Sequence, residues 1–246
     1  MNMESVFTQT YDIKDNMVDC QGYLKPSQIL FIAQDMGGRH CKELTLSYDD
    51  MAARGLFWAV SRHRVQITRL PHSGETIHVE TWPMPTTRVA FPRSVVAYGE
   101  DGGECFRAIS LWVLMDLDTR NMILPGKSGI TVTGTVRGTE LAIPAGLIPR
   151  QLANSRSRTV CFTDLDRNGH MNNTRYLDWI GDLFPSSFHR DHRITEFTVC
   201  YLSEAREGCT MDIHFGIPQD GCVQIDADRK EGGDTHRIFA ARLLYE

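Results

Sequence analysis

Hydrophobic and polar positions change period in the same order twice along this chain. After Pro26-Ser27, residues Ile29, Ile32, Ala33 and Met36 fall at helical spacing, which predicts an amphipathic helix that Gly37-Gly38 can end. Ser47-x-x-Asp50 offers a capping-box start for a shorter helix, and Gly55 suits the left-handed position after it. From Leu56 the period drops to two. Val65 and Ile67 alternate with Gln66 and Thr68, and Ile77 and Val79 with His78 and Glu80, while Asp101-Gly102-Gly103 separates Val89 to Tyr98 from Cys105 to Asp116. A helix followed by a strand meander is predicted.

The second half repeats the order. An extended Thr159 to Phe162 precedes a helix from about Asn173 to Leu183, with Tyr176, Trp179, Ile180 and Leu183 on one face and Pro185 closing it. Strand-like runs follow at Ile194 to Tyr201, Met211 to Ile217, Val223 to Asp228 and Arg237 to Tyr245, divided by Pro218-Gln-Asp-Gly and Glu231-Gly-Gly-Asp. Asp19-x-x-Gly22 lies over Asp166-x-x-Gly169 (166 − 19 = 147), Gly74-x-Thr76 over Gly208-x-Thr210 (208 − 74 = 134), and Arg107 over Arg237 (237 − 107 = 130). Pro125, Pro144 and Pro149 with five glycines give residues 125–150 a linker composition. The expected organisation is an α+β chain with one unit over residues 1–124, a linker over 125–151 and a second unit over 152–246, each a long helix laid on an antiparallel sheet.

Composition narrows the function classes. The chain has 246 residues, 41% of them hydrophobic, enough for full cores. A net charge of −5 offers no global field for nucleic acid or anionic membrane. Seven cysteines, without a C-x-x-C pair, fit reduced thiols in a cytoplasm. Met1 to Thr10 lacks the basic and apolar segments of a secretion signal, and no run approaches the ~18 to 20 apolar residues that span a bilayer. The expectation is a cytoplasmic protein without membrane insertion.

The candidate chemistry sits in Asp164-Leu-Asp-Arg-Asn-Gly-His-Met-Asn-Asn-Thr-Arg-Tyr-Leu-Asp-Trp179. Asp166, Asn168 and His170 alternate, so extended backbone would place all three on one side, beside the N-terminus of the next helix. Gly169 would let backbone N–H approach a developing oxyanion. The alternative is a polar turn capped by Asn172 or Asn173. Opposite Asn168 and His170 the first half has Gln21 and Tyr23, so acid/base chemistry is expected only in the second.

The string Asp-Leu-Asp-x-Asn-x-His-x-Asn-Asn-x-x-Tyr-x-x-Trp closely resembles the signature of plant and bacterial acyl-ACP thioesterases, and the resemblance extends over essentially the whole chain. It implies a double, tandem hotdog fold, with Asp166, Asn168 and His170 catalytic. It also implies a catalytic Glu about 34 residues after the His, which is Glu204 in Tyr201-Leu-Ser-Glu-Ala205; the first half has Leu70 there. The family's two arginines before that Glu are replaced by Leu202 and Ser203, and its following Cys by Ala205, so a cysteine nucleophile fails. The implied reaction is hydrolysis of fatty acyl-ACP to free fatty acid and acyl carrier protein, without cofactor or metal. The acyl tail would lie in the first half, along the Pro26 to Met36 helix and the Phe57 to Val65 strand.

Acidic acyl carrier protein would require a basic patch, for which Arg62, Arg64, Arg69, Arg156, Arg158, Arg190 and Arg193 are candidates. An acyl-CoA thioesterase of the same fold and a non-catalytic acyl-binding protein are the alternatives. The division of labour among Asp166, His170 and Glu204, a transient anhydride on a carboxylate, chain length and a homodimer stay open. Gly126-Lys127-Ser128 fails as a phosphate loop because Asn121 stands where a glycine is needed, and His189-x-x-His192 reads as a solvated basic loop.

Overall fold

The computed structural model describes residues 6–216 and 221–246. The chain divides into two compact units, Met1–Ile143 and Pro144–Glu246.

The first unit contains β1 (Phe7–Asp12), α1 (Pro26–Glu43), α2 (Tyr48–Ala52), β2 (Leu56–Ile67), β3 (Thr76–Pro83), β4 (Phe91–Gly99), β5 (Glu104–Asp116) and β6 (Met122–Ile123). Its antiparallel strands run in the order β1-β3-β4-β5-β2, with β6 beside β5. Ile29, Ile32, Ala33 and Met36 form the buried stripe of α1, as the helical spacing requires. Gly37-Gly38 does not end this helix, which continues to Glu43. Gly37 serves packing instead: a Cβ there would lie 3.3 Å from Arg93 Cδ, and the buried Arg93 guanidinium donates to His40 Nδ1 at 3.0 Å. The Ser47/Asp50 capping box forms at the start of α2, and Gly55 takes φ +71°. Strand β1 was not expected, because both of its faces stay at least partly exposed.

The second unit contains β7 (Asn154–Thr159), α3 (Arg175–Gly181), α4 (Ser186–Asp191), β8 (Ile194–Tyr201), β9 (Thr210–Phe215), β10 (Cys222–Glu231) and β11 (Asp234–Tyr245), with strands ordered β8-β11-β10-β9-β7. Tyr176, Trp179, Ile180 and Leu183 are buried together. Three expectations change. The extended segment ends at Thr159, and Phe162–Asp164 is a 3-10 turn closed by the Asp164 carboxylate on the Cys161 N–H at 3.0 Å. Regular helix spans only Arg175–Gly181, and Pro185 opens α4 rather than merely closing a helix. Ile217 and Pro218-Gln-Asp lie outside the described residues.

The halves repeat at the level of single hydrogen bonds. Ile13 N–H donates to Glu75 O and Gly74 N–H to Ile13 O, both at 2.8 Å; Val160 N–H donates to Cys209 O and Gly208 N–H to Val160 O, both at 2.9 Å. The offsets of 147 and 134 therefore hold in the structure (160 − 13 = 147; 209 − 75 = 134). The match of Arg107 with Arg237 does not. Ile67 pairs with Phe106 and Tyr201 with Phe239, so the last strand runs at an offset of 133 (239 − 106 = 133). Arg237 thus falls opposite Glu104, and the coincidence of residue type misled the register. No helix among the described residues is long and apolar enough to cross a membrane.

Candidate active site

The motif folds as a closed turn. Leu165 and Met171 form an antiparallel bridge, Asp166 N–H donates to His170 O at 2.8 Å, and Gly169 N–H donates to Asp166 O at 3.0 Å. The Asp166 Oδ1 accepts the Asn168 N–H at 2.7 Å and the His170 N–H at 3.3 Å. This Asx-type turn, with Gly169 at φ +74°, replaces the extended segment expected from alternation. It also commits the Gly169 amide within the turn, so that N–H does not stand ready for an oxyanion. The next helix begins only at Arg175, with Thr174 as its N-cap and no side-chain cap. Asn172 Oδ1 accepts the Thr174 N–H and hydroxyl at 3.0 Å in an Asx turn just before it, so neither Asn172 nor Asn173 caps the helix as the alternative expected.

A buried carboxylate supports this turn. Asp164, 4% exposed, accepts the Trp179 Nε1–H at 3.4 Å and lies 3.4 Å from Arg175 Nε, while its backbone O accepts the Asn172 N–H at 2.8 Å. Glu204 arrives from the other side, just beyond β8. Leu202 and Ser203 both donate their N–H to Ile238 O, Met171 N–H donates to Ala205 O at 2.8 Å, and Arg229 Nη1 donates to Glu204 O at 3.3 Å. The result is a contact of 3.1 Å between His170 Nε2 and Glu204 Oε2, with the imidazole 12% and the carboxylate 44% exposed. Asn168 is exposed beside them, its Nδ2 3.5 Å from Asp166 Oδ2. The turn thus carries Asp166, Asn168 and His170, and Glu204 meets it through the His170 side chain.

The first half carries the same turn without the acid/base groups. Asp19 Oδ1 accepts the Gln21 N–H at 2.8 Å and the Tyr23 N–H at 3.1 Å, Gly22 N–H donates to Asp19 O at 3.0 Å, and Val18 bridges Leu24. Leu24 N–H donates to Pro71 O just as Met171 donates to Ala205, which puts Leu70 at the place of Glu204. An aspartate present in both turns, with the same bonds, is explained by turn closure. His170, Glu204 and Asn168 have no such counterpart. Two further participants escaped sequence reasoning: Arg229, distant in sequence, and Asp164, whose burial no local pattern reveals.

The remaining motifs are locally satisfied. His192 stacks on Phe188 at 4.2 Å and His189 Nε2 lies 2.9 Å from Gly181 O, partly within α4 rather than in an open loop. No cluster of three His, Cys, Asp or Glu suited to a metal occurs among the described residues. Gly126-Lys127-Ser128 belongs to a 3-10 turn with Ser128 Oγ donating to Pro125 O. Of the candidate arginines, Arg69 is paired with Glu75 and Arg158 with Asp182, while Arg156 donates to the Asp182 carbonyl.

Comparison with known proteins agrees with this architecture. Residues 4–124 match the acyl-ACP thioesterase N-terminal domain and residues 150–240 the C-terminal domain. A chloroplastic dodecanoyl-[acyl-carrier-protein] hydrolase of Cinnamomum camphora is 28% identical over 225 residues, covering 84% of this chain and 57% of that protein. A chloroplastic palmitoyl-acyl carrier protein thioesterase of Gossypium hirsutum is 25% identical over 217 residues, covering 81% and 52%. The chain thus spans about half the length of the curated relatives it matches. Among solved structures, an acyl-ACP thioesterase from Bacteroides thetaiotaomicron has a TM-score of 0.86 at 22% identity, covering 100% of both chains. The 12:0-ACP thioesterase of Umbellularia californica has a TM-score of 0.82 at 23% identity, covering 99% and 98%. With both family domains matched in order, and the tandem hotdog architecture shared with those structures, this chain belongs to the acyl-ACP thioesterase family.

Proposed function

We propose that this protein hydrolyses fatty acyl-ACP to free fatty acid and acyl carrier protein, with its one catalytic centre in the second unit. The observation that carries the reading is the contact of His170 Nε2 with Glu204 Oε2 at 3.1 Å, beside Asn168, in a turn whose first-half twin lacks all three groups. Glu204, the more exposed partner, takes the proton from the attacking water, and the water oxygen bonds to the thioester carbon. The Asn168 amide donates to the carbonyl oxygen as it gains charge. When the C–S bond breaks, the proton passes through His170 to the departing sulfur, so one water is consumed and a carboxylic acid and a thiol are released. Asp166 acts through the backbone, holding the amides of Asn168 and His170. Acyl carrier protein as the carrier is supported by the family and by what the named relatives act on.

The test is release of free fatty acid from palmitoyl-ACP and palmitoyl-CoA. His170→Ala and Glu204→Ala should each fold and lose roughly 10² to 10⁴ in turnover, the usual contribution of a positioned acid/base group. A Glu204 variant that kept more than about a third of the rate would remove it from the chemistry, and preference for palmitoyl-CoA would replace the carrier.

A further inference from the structure

The internal repeat serves as a filter for functional groups: side chains that build the scaffold recur in both halves, whereas those that do chemistry stand out against their counterparts. Applied along α3, the filter finds Tyr176. Its counterpart at the offset of 147 is Ile29 (176 − 29 = 147), an apolar residue of α1 that is fully buried. Tyr176 is only 3% exposed, and its ring is fixed edge-on against Tyr201 at 5.3 Å and Phe239 at 4.8 Å between centroids. These contacts satisfy the ring and leave the hydroxyl unexplained. Among the described residues that hydroxyl has no hydrogen-bond partner, whereas the neighbouring Tyr201 hydroxyl donates to Asn173 O at 2.9 Å. The hydroxyl oxygen is not one of the wholly buried polar atoms left without a partner, so it borders accessible space where a ligand atom can reach it.

The position of Tyr176 also points to the site. It lies six residues after His170, and Tyr201, on which it packs, lies three residues before Glu204. Burial first, then the negative charges of Cys209, Asp166 and Glu204, push its ionisation upward, so the phenol remains protonated and able to donate. Because the Gly169 amide is used within the turn, the oxyanion lacks the backbone donor that the sequence suggested. We propose that the Tyr176 hydroxyl donates a hydrogen bond to the thioester carbonyl oxygen of the bound substrate, alongside Asn168. The proposal rests on the thioesterase reading of this site.

Tyr176→Phe removes one oxygen and keeps the ring that packs on Tyr201 and Phe239. With palmitoyl-ACP, turnover should fall by roughly 30-fold or more while KM stays within about threefold, because an oxyanion donor acts mainly in the transition state. The melting temperature should not fall. Replacing Tyr176 with a tetrafluorinated tyrosine, whose phenol is far more acidic, should bring the alkaline limb of kcat down to lower pH, a readout that packing alone would not move and that stands even if the Phe variant folds poorly. Turnover within threefold of wild type, an effect confined to KM, or an unmoved alkaline limb would each overturn the proposal. His170→Ala and Glu204→Ala are run beside it. If both are inactive while Tyr176→Phe is not, only the tyrosine assignment fails; if both are active, the site assignment itself falls.

Discussion

The twin turns allow the role of Asp166 to be measured against a built-in control. Its carboxylate accepts two backbone N–H bonds, at 2.7 and 3.3 Å, and Asp19 accepts the equivalent two at 2.8 and 3.1 Å. Hydrogen bonds to a charged acceptor are worth about 1.5 to 3 kcal/mol each, and one long bond in a partly exposed turn brings the pair toward ~2 kcal/mol. Asp166→Ala and Asp19→Ala should therefore destabilise by similar amounts, read as the shift of urea unfolding curves at unchanged slope. Their effects on turnover should differ sharply, since only the first displaces Asn168 and His170. Asparagine separates turn closure from base catalysis, because its amide oxygen can still accept both N–H groups while carrying no charge. Asp166→Asn should keep turnover within about tenfold of wild type, well short of the 10² to 10⁴ that loss of a general base costs. If Asp166→Asn is as inactive as Asp166→Ala, the carboxylate takes a proton and the turn-closure account is wrong.

Two further outcomes follow from charge. Burial pushes the His63 imidazole down to about 3, so between the unfolded value near 6.5 and about 3 the unfolded chain binds a proton that the folded chain does not. Stability is thus retained above that window and falls on acidification through it, by up to about 1.4 kcal/mol per pH unit; His63→Gln should flatten that slope in pH-resolved denaturation, and an unchanged slope refutes the assignment. For the carrier, kcat/KM with palmitoyl-ACP should fall as salt rises to an ionic strength where the screening length is ~8 Å, and palmitoyl-CoA should respond less. Equal salt dependence would count against acyl carrier protein.

Much of this architecture was legible because period and punctuation are local properties. The α1 stripe, the Ser47 cap, β8 and the alternating strands follow from side-chain spacing alone. The failures have one physical source, which is contact between residues far apart in sequence. Glycine at 37 reads as a helix end until Arg93 is seen to cross it. Alternation at Asp166, Asn168 and His170 reads as a strand, yet the Asp carboxylate can fold back on two amides and close a turn. Matching Arg107 to Arg237 by residue type failed by three positions, because strand register is fixed by pairing with β2 and β8. The site residues were found by their motif and by the contrast between halves. Neither signal reaches Arg229, whose link to Glu204 exists only once β10 lies beside that segment.

The paired turns also make this molecule its own reference for amide exchange. The N–H groups of Gln21 and Tyr23 are held by Asp19 as those of Asn168 and His170 are held by Asp166, at matching distances. Deuterium uptake at the first pair reports how fast such a turn opens when no chemistry is attached to it. The ratio of the two pairs then isolates whatever occupancy of the catalytic side adds, free of changes in temperature, pH or protein concentration. A fatty acid or a non-hydrolysable acyl thioether that slows exchange at Asn168 and His170 alone would locate binding without any turnover being followed.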